Sequence, residues 1–299
     1  MAQTIIPSLW FDGMAEEAAN FYTTTLRDGQ IMRVDHYPEA GRELHQHEPG
    51  DVQMVEFMIE GLRFVIVNGG PRFKINPSVS FTLYRTKSEE LVELWGKLIA
   101  GGSELMPLGK YPFSENYGWL IDKFGVSWQL MFAPGEHAAA PSLLFTQDRV
   151  GQAEQALRYY ADTLPGAKIG IISHYPAGSE PDREGTLQYG DLMINEQQLV
   201  AMDSARDHDF TFSGAISLLM QCDTQEEIDA LWERLSAVPE AEQCGWCQDK
   251  FGVTWQIAPR VLDAMLRDGT PEEIDRVTQA YLPMKKFDIA VLQRAFNGE

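Results

Sequence analysis

The sequence predicts an α+β chain of four βαβββ modules, arranged as two tandem halves and followed by a helical tail. Three observations carry this reading. The segment Asp122–Gln129 (DKFGVSWQ) returns as Asp249–Gln256 (DKFGVTWQ), differing only at Ser127 against Thr254, and Gly118-Trp119 precedes the first as Gly245-Trp246 precedes the second. The likeness runs upstream without gaps from Ser80–Trp95 to Ser217–Trp232, then to His36-Tyr37-Pro38 with His174-Tyr175-Pro176 and Pro7-Ser8-Leu9 with Pro141-Ser142-Leu143. Self-similarity on this scale is the mark of a duplicated unit. Within each half the apolar pattern passes from strand to helix to strands and then restarts.

The elements follow in order. Ile5–Phe11 reads as a strand and Met14–Leu26 as a helix, with apolar residues at helical spacing. Strands are expected at Ile31–Tyr37, Val52–Ile59 and Leu62–Val67. The pattern restarts with a strand at Val79–Tyr84 and a helix at Ser88–Ala100, with Ser88 as its N-cap. Short strands follow near Glu104, at Trp119–Ile121 and at Ser127–Phe132. The first half spans 1–136 and the second 137–260, joined at Ala138-Ala-Ala-Pro141, while 261–299 belongs to neither copy. In that tail Thr270-Pro-Glu-Glu273 forms a capping-box pattern; Ile274, Val277 and Tyr281 share one helical face, and Ile289, Leu292 and Phe296 another. The tail is expected to pack on the sheets or a second subunit, or to lie over a cleft.

Composition bounds the function. With 44% hydrophobic and 23% charged residues the chain is that of a folded globular protein, not a disordered one. The formal charge, 24 − 44 = −20, repels phosphate backbones, and no Lys/Arg patch offsets it. Nucleic-acid and anionic-membrane binding are therefore excluded, and a neutral or cationic small molecule is the expected partner. No apolar run approaches the roughly 18–20 residues that span a bilayer, and Met1–Leu9 lacks a signal-peptide pattern, so a cytoplasmic location is expected. Cys222, Cys244 and Cys247 make no disulfide framework. Cys244 and Cys247 have CxxC spacing, but no second metal-binding pair completes it and their counterparts are Tyr117 and Leu120, so packing is the expected role.

The repeated modules, with Phe21-Tyr22 and Tyr159-Tyr160 on the first helices and the Gly-Trp…Asp-x-Phe-Gly-Val-x-Trp-Gln endings, resemble the vicinal oxygen chelate superfamily over 1–260. The likeness is to its PhnB-like branch, which carries the label 3-demethylubiquinone-9 3-methyltransferase-like. It implies tandem glyoxalase/bleomycin-resistance domains, with a pocket inside each cupped sheet. Metal-dependent relatives hold a divalent ion with His, Glu or Gln from the first and last strands and from strands between. Here the implied first-strand position falls near Pro7 and Pro141, the restart position near Ser78 and Ala215, and the last-strand position on Gln129 and Gln256. No cofactor and no metal site are expected from this set.

One position keeps a charge. Val52, Met54, Glu56 and Met58 share a strand face, as do Leu187, Tyr189, Asp191 and Met193, so each copy sets a carboxylate in an apolar row. Without a partner, burial would raise the pKa of such a group and suit it to acid–base work, or it could be the counter-ion of a cationic ligand. Glu56 and Asp191 are the leading candidates for catalysis, with Gln129 and Gln256 opposite them by analogy. Trp128, Trp255, His36 and His174 are further candidates for ligand contact; packing would also explain the tryptophans, and turn capping the histidines. His45 and His47 have no counterpart in the second half and read as solvated loop.

The expected function is binding of a small molecule in a cleft without a metal, by a monomer or homodimer, whether or not a lyase or isomerase reaction follows. A metal-dependent glyoxalase or dioxygenase and a drug-sequestering resistance protein are the alternatives. Methyl transfer finds no strand, G-x-G loop and helix of the kind nucleotide-like cofactors use: Gly101-Gly102 ends a helix and Gly69-Gly70 closes a strand.

Overall fold

The computed structural model describes residues 4–135 and 137–299. The first module is β1 (Ile5–Phe11), α1 (Ala15–Thr25), β2 (Gln30–His36), the single turn α2 (Arg42–His45), β3 (Val52–Ile59) and β4 (Leu62–Asn68). The second is β5 (Val79–Arg85), α3 (Ser88–Leu98), β6 (Ser103–Tyr111), β7 (Ser114–Ile121) and β8 (Ser127–Phe132). The third is β9 (Ala140–Phe145), α4 (Ala153–Thr163), β10 (Ala167–His174), β11 (Leu187–Ile194) and β12 (Gln197–Asp203). The fourth, β13 (Ile216–Cys222), α5 (Gln225–Leu235), β14 (Trp246–Gln248) and β15 (Thr254–Pro259), has a short 3-10 turn where the second module has β6. The tail forms α6 (Arg260–Asp268), α7 (Pro271–Tyr281) and α8 (Ile289–Asn297).

Strands pair across the repeat. One sheet, A, has the order β14-β15-β13-β1-β4-β3-β2, and the other, B, has β10-β11-β12-β9-β5-β8-β7-β6. Each joins a module of one half to a module of the other through an antiparallel seam, β1 on β13 and β5 on β9. At both seams two serines stand opposite one another, Ser8 with Ser217 and Ser142 with Ser80.

Alternation decides the faces. Leu9, Phe11, Phe57 and Phe64 of sheet A and Phe81, Leu83, Leu143 and Phe145 of sheet B fall in one continuous apolar cluster with Tyr22, Leu91, Leu157 and Leu231 of the helices. Alanines 15, 18 and 19 of α1 let that helix approach the strands closely. Ser88 is not the N-cap of α3; Lys87 is, without a side-chain cap. The capping box of α7 forms as expected, with Thr270 Oγ1 accepting from Glu273 N at 3.4 Å and Glu273 Oε2 from Thr270 N at 2.8 Å. For α1 the cap is supplied from a distant strand: Asn68 Oδ1 accepts from Ala15 N at 3.0 Å, and the equivalent Asp203 accepts from Gly151, Ala153 and Leu187.

The repeated DKFGV-x-WQ segment builds one buried node in each half. Asp122 Oδ2 accepts from the Tyr22 hydroxyl and the Trp128 indole, both at 2.8 Å, while Oδ1 accepts from Phe124 N and Val126 N at 2.8 and 3.0 Å. Asp249 repeats this with Tyr160, Trp255, Phe251 and Val253 at 2.7–3.0 Å. Burial pushes both carboxyls above the ordinary range, against four hydrogen bonds that favour the ionised form. All four partners are donors, so the position requires two acceptor oxygens. Asp122→Asn, which sets an amide N–H₂ against a hydroxyl and an indole N–H or against two backbone N–H groups, is expected to destabilise by about 1–3 kcal/mol, and Tyr22→Phe by about 1 kcal/mol. Urea midpoints at constant m-value test this; an unchanged midpoint for Asp122→Asn would remove the node from the account of stability.

Candidate functional site

The sheet faces turned away from the helices carry two equivalent constellations. On sheet A they are Ser8, Glu56, Ser217 and Gln256; on sheet B they are Ser142, Asp191, Ser80 and Gln129. Each Gln donates from Nε2 to the neighbouring serine hydroxyl at 2.7 Å, Gln256 to Ser217 and Gln129 to Ser80. The Tyr117 hydroxyl donates to Gln129 Oε1 at 2.9 Å. Two details of the sequence reading change. Pro7 and Pro141 share the helix side with Leu9 and Leu143, and Ser78 and Ala215 precede their strands, so the residues presented are serines one or two positions on. Because the sheets pair across the repeat, Glu56 shares a face with Gln256 of the other half, and Asp191 with Gln129.

Both carboxylates are buried and both are partnered, so the premise of an unpaired acid does not hold. Glu56 Oε1 lies 2.5 Å from Arg63 Nε. Asp191 accepts from Ile171 N at 2.5 Å and from Gln198 Nε2 at 2.6 Å. Gln198 in turn accepts from the Tyr84 hydroxyl at 3.0 Å and lies 3.2 Å from the Tyr189 hydroxyl. Burial pushes the Tyr189 hydroxyl up to about 12 and those of Tyr84 and Tyr117 well above their ordinary value, so all three stay neutral. Tyr84, Ala140 and Val200 form a small apolar cluster on this face, with Met131, Ala133, Tyr189 and Met202 packed against it.

The two faces differ in what lies over them. In a flat sheet the five spacings from β15 to β2 would be roughly 24 Å. Yet Arg33 of β2 donates to Asp263, in the first turn of the helix that directly follows β15, at 2.6 Å. Sheet A is therefore strongly curved and α6 spans its hollow. Arg260 Nη1 and Arg63 Nη1 both reach Gln221 Oε1, at 2.7 and 3.2 Å. In sheet B no helix stands between β8 and β9 among the described residues; Trp119, Met131, Tyr189 and Met202 are partly exposed, as are their sheet A equivalents Trp246, Ala258, Met54 and Val67. A groove of about 620 Å³ opens at the end of the sheet B face, between Lys74–Pro77 and Asp209–Ser213. Its wall includes Ile121, which stands opposite Ser127 in the row of Ser80 and Ser142.

The remaining sequence candidates lie elsewhere. Trp128 and Trp255 are fully buried on the helix side as members of the Asp nodes, one residue out of phase with the face that carries Gln129 and Gln256. His174 Nε2 is 2.7 Å from Glu154 Oε2 at the start of α4, and His36 is exposed at the end of β2. His45 and His47 stack on Tyr37, with ring centroids at 4.5 and 4.2 Å. Cys247 is buried and Cys244 half-buried, and burial pushes both thiols up. Among the described residues no three His, Cys, Asp or Glu side chains converge as a metal site, and no helix is long and apolar enough to cross a membrane. Sequence reasoning missed Tyr84, Tyr117 and Gln198; Gln198 meets Asp191 through the β11–β12 register, which the strand pattern alone does not fix.

The family model described as 3-demethylubiquinone-9 3-methyltransferase matches residues 3–131 and again 137–258. A PhnB protein from Bacillus cereus is 37% identical over 44% of this chain and 99% of its own length, with a TM-score of 0.40. A point variant of glyoxalase I from Zea mays is 11% identical over 87% of this chain and 95% of its own, with a TM-score of 0.52. A Bacillus subtilis protein named for a dioxygenase activity is 13% identical over 90% and 88%, with a TM-score of 0.51. At those identities the last two share the fold. No curated protein matches the sequence.

The contact between tail and sheet A yields a test. Asp263→Ala is expected to speed amide exchange in α6–α8 and β2 while leaving β6 and β10 unchanged, with a loss of about 1 kcal/mol or more for a mostly buried pair. Unchanged exchange in α6 would show that the ion pair does not hold the tail.

Proposed function

Because the chain belongs to the 3-demethylubiquinone-9 3-methyltransferase family over both halves, with the glyoxalase-type fold in tandem, we propose that it binds one small organic molecule per chain, on the open face of sheet B and without a metal ion. The observation that carries this reading is the difference in cover. The tail helix α6 lies across sheet A, where Asp263 and Arg260 bond Arg33 and Gln221, while on the equivalent face of sheet B the hydrogen bonds of Asp191, Gln198 and Gln129 run within the sheet. An apolar surface with a few fixed polar groups is the usual character of a ligand site.

The donors support the metal-free form. The polar residues that this face of sheet B carries are Ser142, Ser80 and Gln129, with Asp191 as the single carboxylate. Gln129 is engaged through both amide atoms and Asp191 through both oxygens. Two serine hydroxyls and one neutral amide are a poor set for a catalytic divalent ion. With both oxygens held by hydrogen bonds, Asp191 is set as an electrostatic anchor for what binds. Tyr84, Tyr117 and Tyr189 supply neutral hydroxyls, and Val200, Met131 and Met202 supply apolar contact.

Metal content by mass spectrometry on untagged protein is expected to fall below about a tenth of an equivalent, with melting unchanged by chelator. A stoichiometric ion whose removal lowers the melting temperature would overturn the metal-free reading. For the site, hits from a thermal-shift screen are expected to titrate with one equivalent per chain. Gln129→Ala should weaken them about tenfold or more and Gln256→Ala should leave them unchanged. Two equal sites, or an effect confined to Gln256, would place binding elsewhere.

A further inference from the structure

We propose that the molecule held on sheet B is an organic cation, an ammonium group on an aromatic or apolar frame, with Asp191 as its counter-ion. This rests on the reading of sheet B as the binding face. The chain holds two copies of one site. Glu56 and Asp191 are equivalent, each standing opposite a valine, Val65 or Val200. On sheet A the carboxylate has its counter-charge built in. Arg63 Nε is 2.5 Å away, and Arg33 stands opposite Glu56 on β2.

On sheet B both cations are replaced. Gln198 takes the place of Arg63, since Met58 pairs with Arg63 as Met193 pairs with Gln198. Ile171, in the bulge of β10 beside Asp191, takes the place of Arg33. Asp191 is nevertheless given a seat. A Cβ added at Gly170 would lie 2.3 Å from its Oδ1, so the glycine makes room for the carboxylate to receive the Ile171 N–H. Both of its hydrogen-bond partners are neutral: they hold the charged form in place without cancelling it. Lys168, the cation on the adjoining edge, faces Met193 and is exposed.

A buried carboxylate without a counter-charge is costly, and a ligand that brings the charge relieves that cost. Around Asp191 the face offers what a soft cation favours. Tyr84 and Tyr189 both touch Gln198, with Met131, Val200 and Met202 beside them, and phenol rings attract cations through their faces. The net charge of −20 adds attraction at a distance.

The test uses three probes of one shape, phenethylammonium, 2-phenylethanol and phenylacetate, titrated against the full chain by backbone NMR. Phenethylammonium is expected to bind at least about tenfold more tightly than 2-phenylethanol, with shifts mapping to β5, β8, β11 and β12, and phenylacetate to give none. Asp191→Asn should abolish the preference for phenethylammonium over 2-phenylethanol. Gln198→Arg, which installs the counter-ion that Arg63 provides on sheet A, should abolish it equally and serves if Asp191→Asn does not fold. Equal affinity for cation and alcohol, or a preference that survives Gln198→Arg, would overturn the cation assignment and leave the face as a site for neutral molecules. If none of the three probes shifts any resonance of the sheet B face, both the assignment and the underlying reading fall.

Discussion

Each half is closed by a carboxylate that accepts from four donors, and the partners of that carboxylate explain why two halves make one structure. Asp122 joins α1 of the first module to the β8 segment of the second, and Asp249 does the same for α4 and β15. The sheets run the other way, since β1 pairs with β13 and β5 with β9. Hydrogen-bonded ladders thus tie opposite halves, while the buried nodes tie the modules within each half. The two sets interlock, and neither sheet can be separated without breaking a node or a seam. A third tie fixes the junction. Glu60, in the turn between β3 and β4, is buried in a two-point contact with Arg85 of β5 at 2.5 and 2.9 Å, and its carbonyl accepts from Ala139 N at 2.8 Å.

Duplication sets two equivalent faces in the chain, and packing has separated them. Sheet A is crossed by α6, whose Asp263 and Arg260 bond Arg33 and Gln221 of its face. Its polar groups pair among themselves, Arg33 with Asp35 and Asp263, Arg63 with Glu56, and Arg260 with Gln221 and Asp223. Charged side chains beneath a helix are tolerable when they are ion-paired in this way. Among the described residues no helix stands between β8 and β9 of sheet B, and there the positions of Gln221, Arg63 and Arg33 are held by Tyr84, Gln198 and Ile171.

Much of the fold was legible because duplication prints it twice. The octapeptide repeat announced the two halves, and period-two and helical spacing located β1, α1, β3, β4, β5 and α3 to within a few residues. Glu56 and Asp191 were legible as carboxylates among apolar neighbours on one strand face. Their partners were not. Arg63 and Gln198 lie on the next strand, where the register of a hairpin decides contact. Trp128 was placed one residue out of phase, because a buried aromatic suits a pocket wall and a core equally well, and only alternation against Gln129 separates the two.

The sequence by itself determined the modules, the tandem order and the identities of the residues offered at each equivalent position, because local periodicity and repetition are one-dimensional properties. The tertiary structure alone decided which halves share a sheet, and hence that Asp191 faces Gln129 and Glu56 faces Gln256. It alone decided that the tail lies over sheet A. Strand pairing and helix docking depend on apolar faces meeting across more than a hundred residues of chain, and a pattern that repeats equally in both halves does not say which copy it will meet.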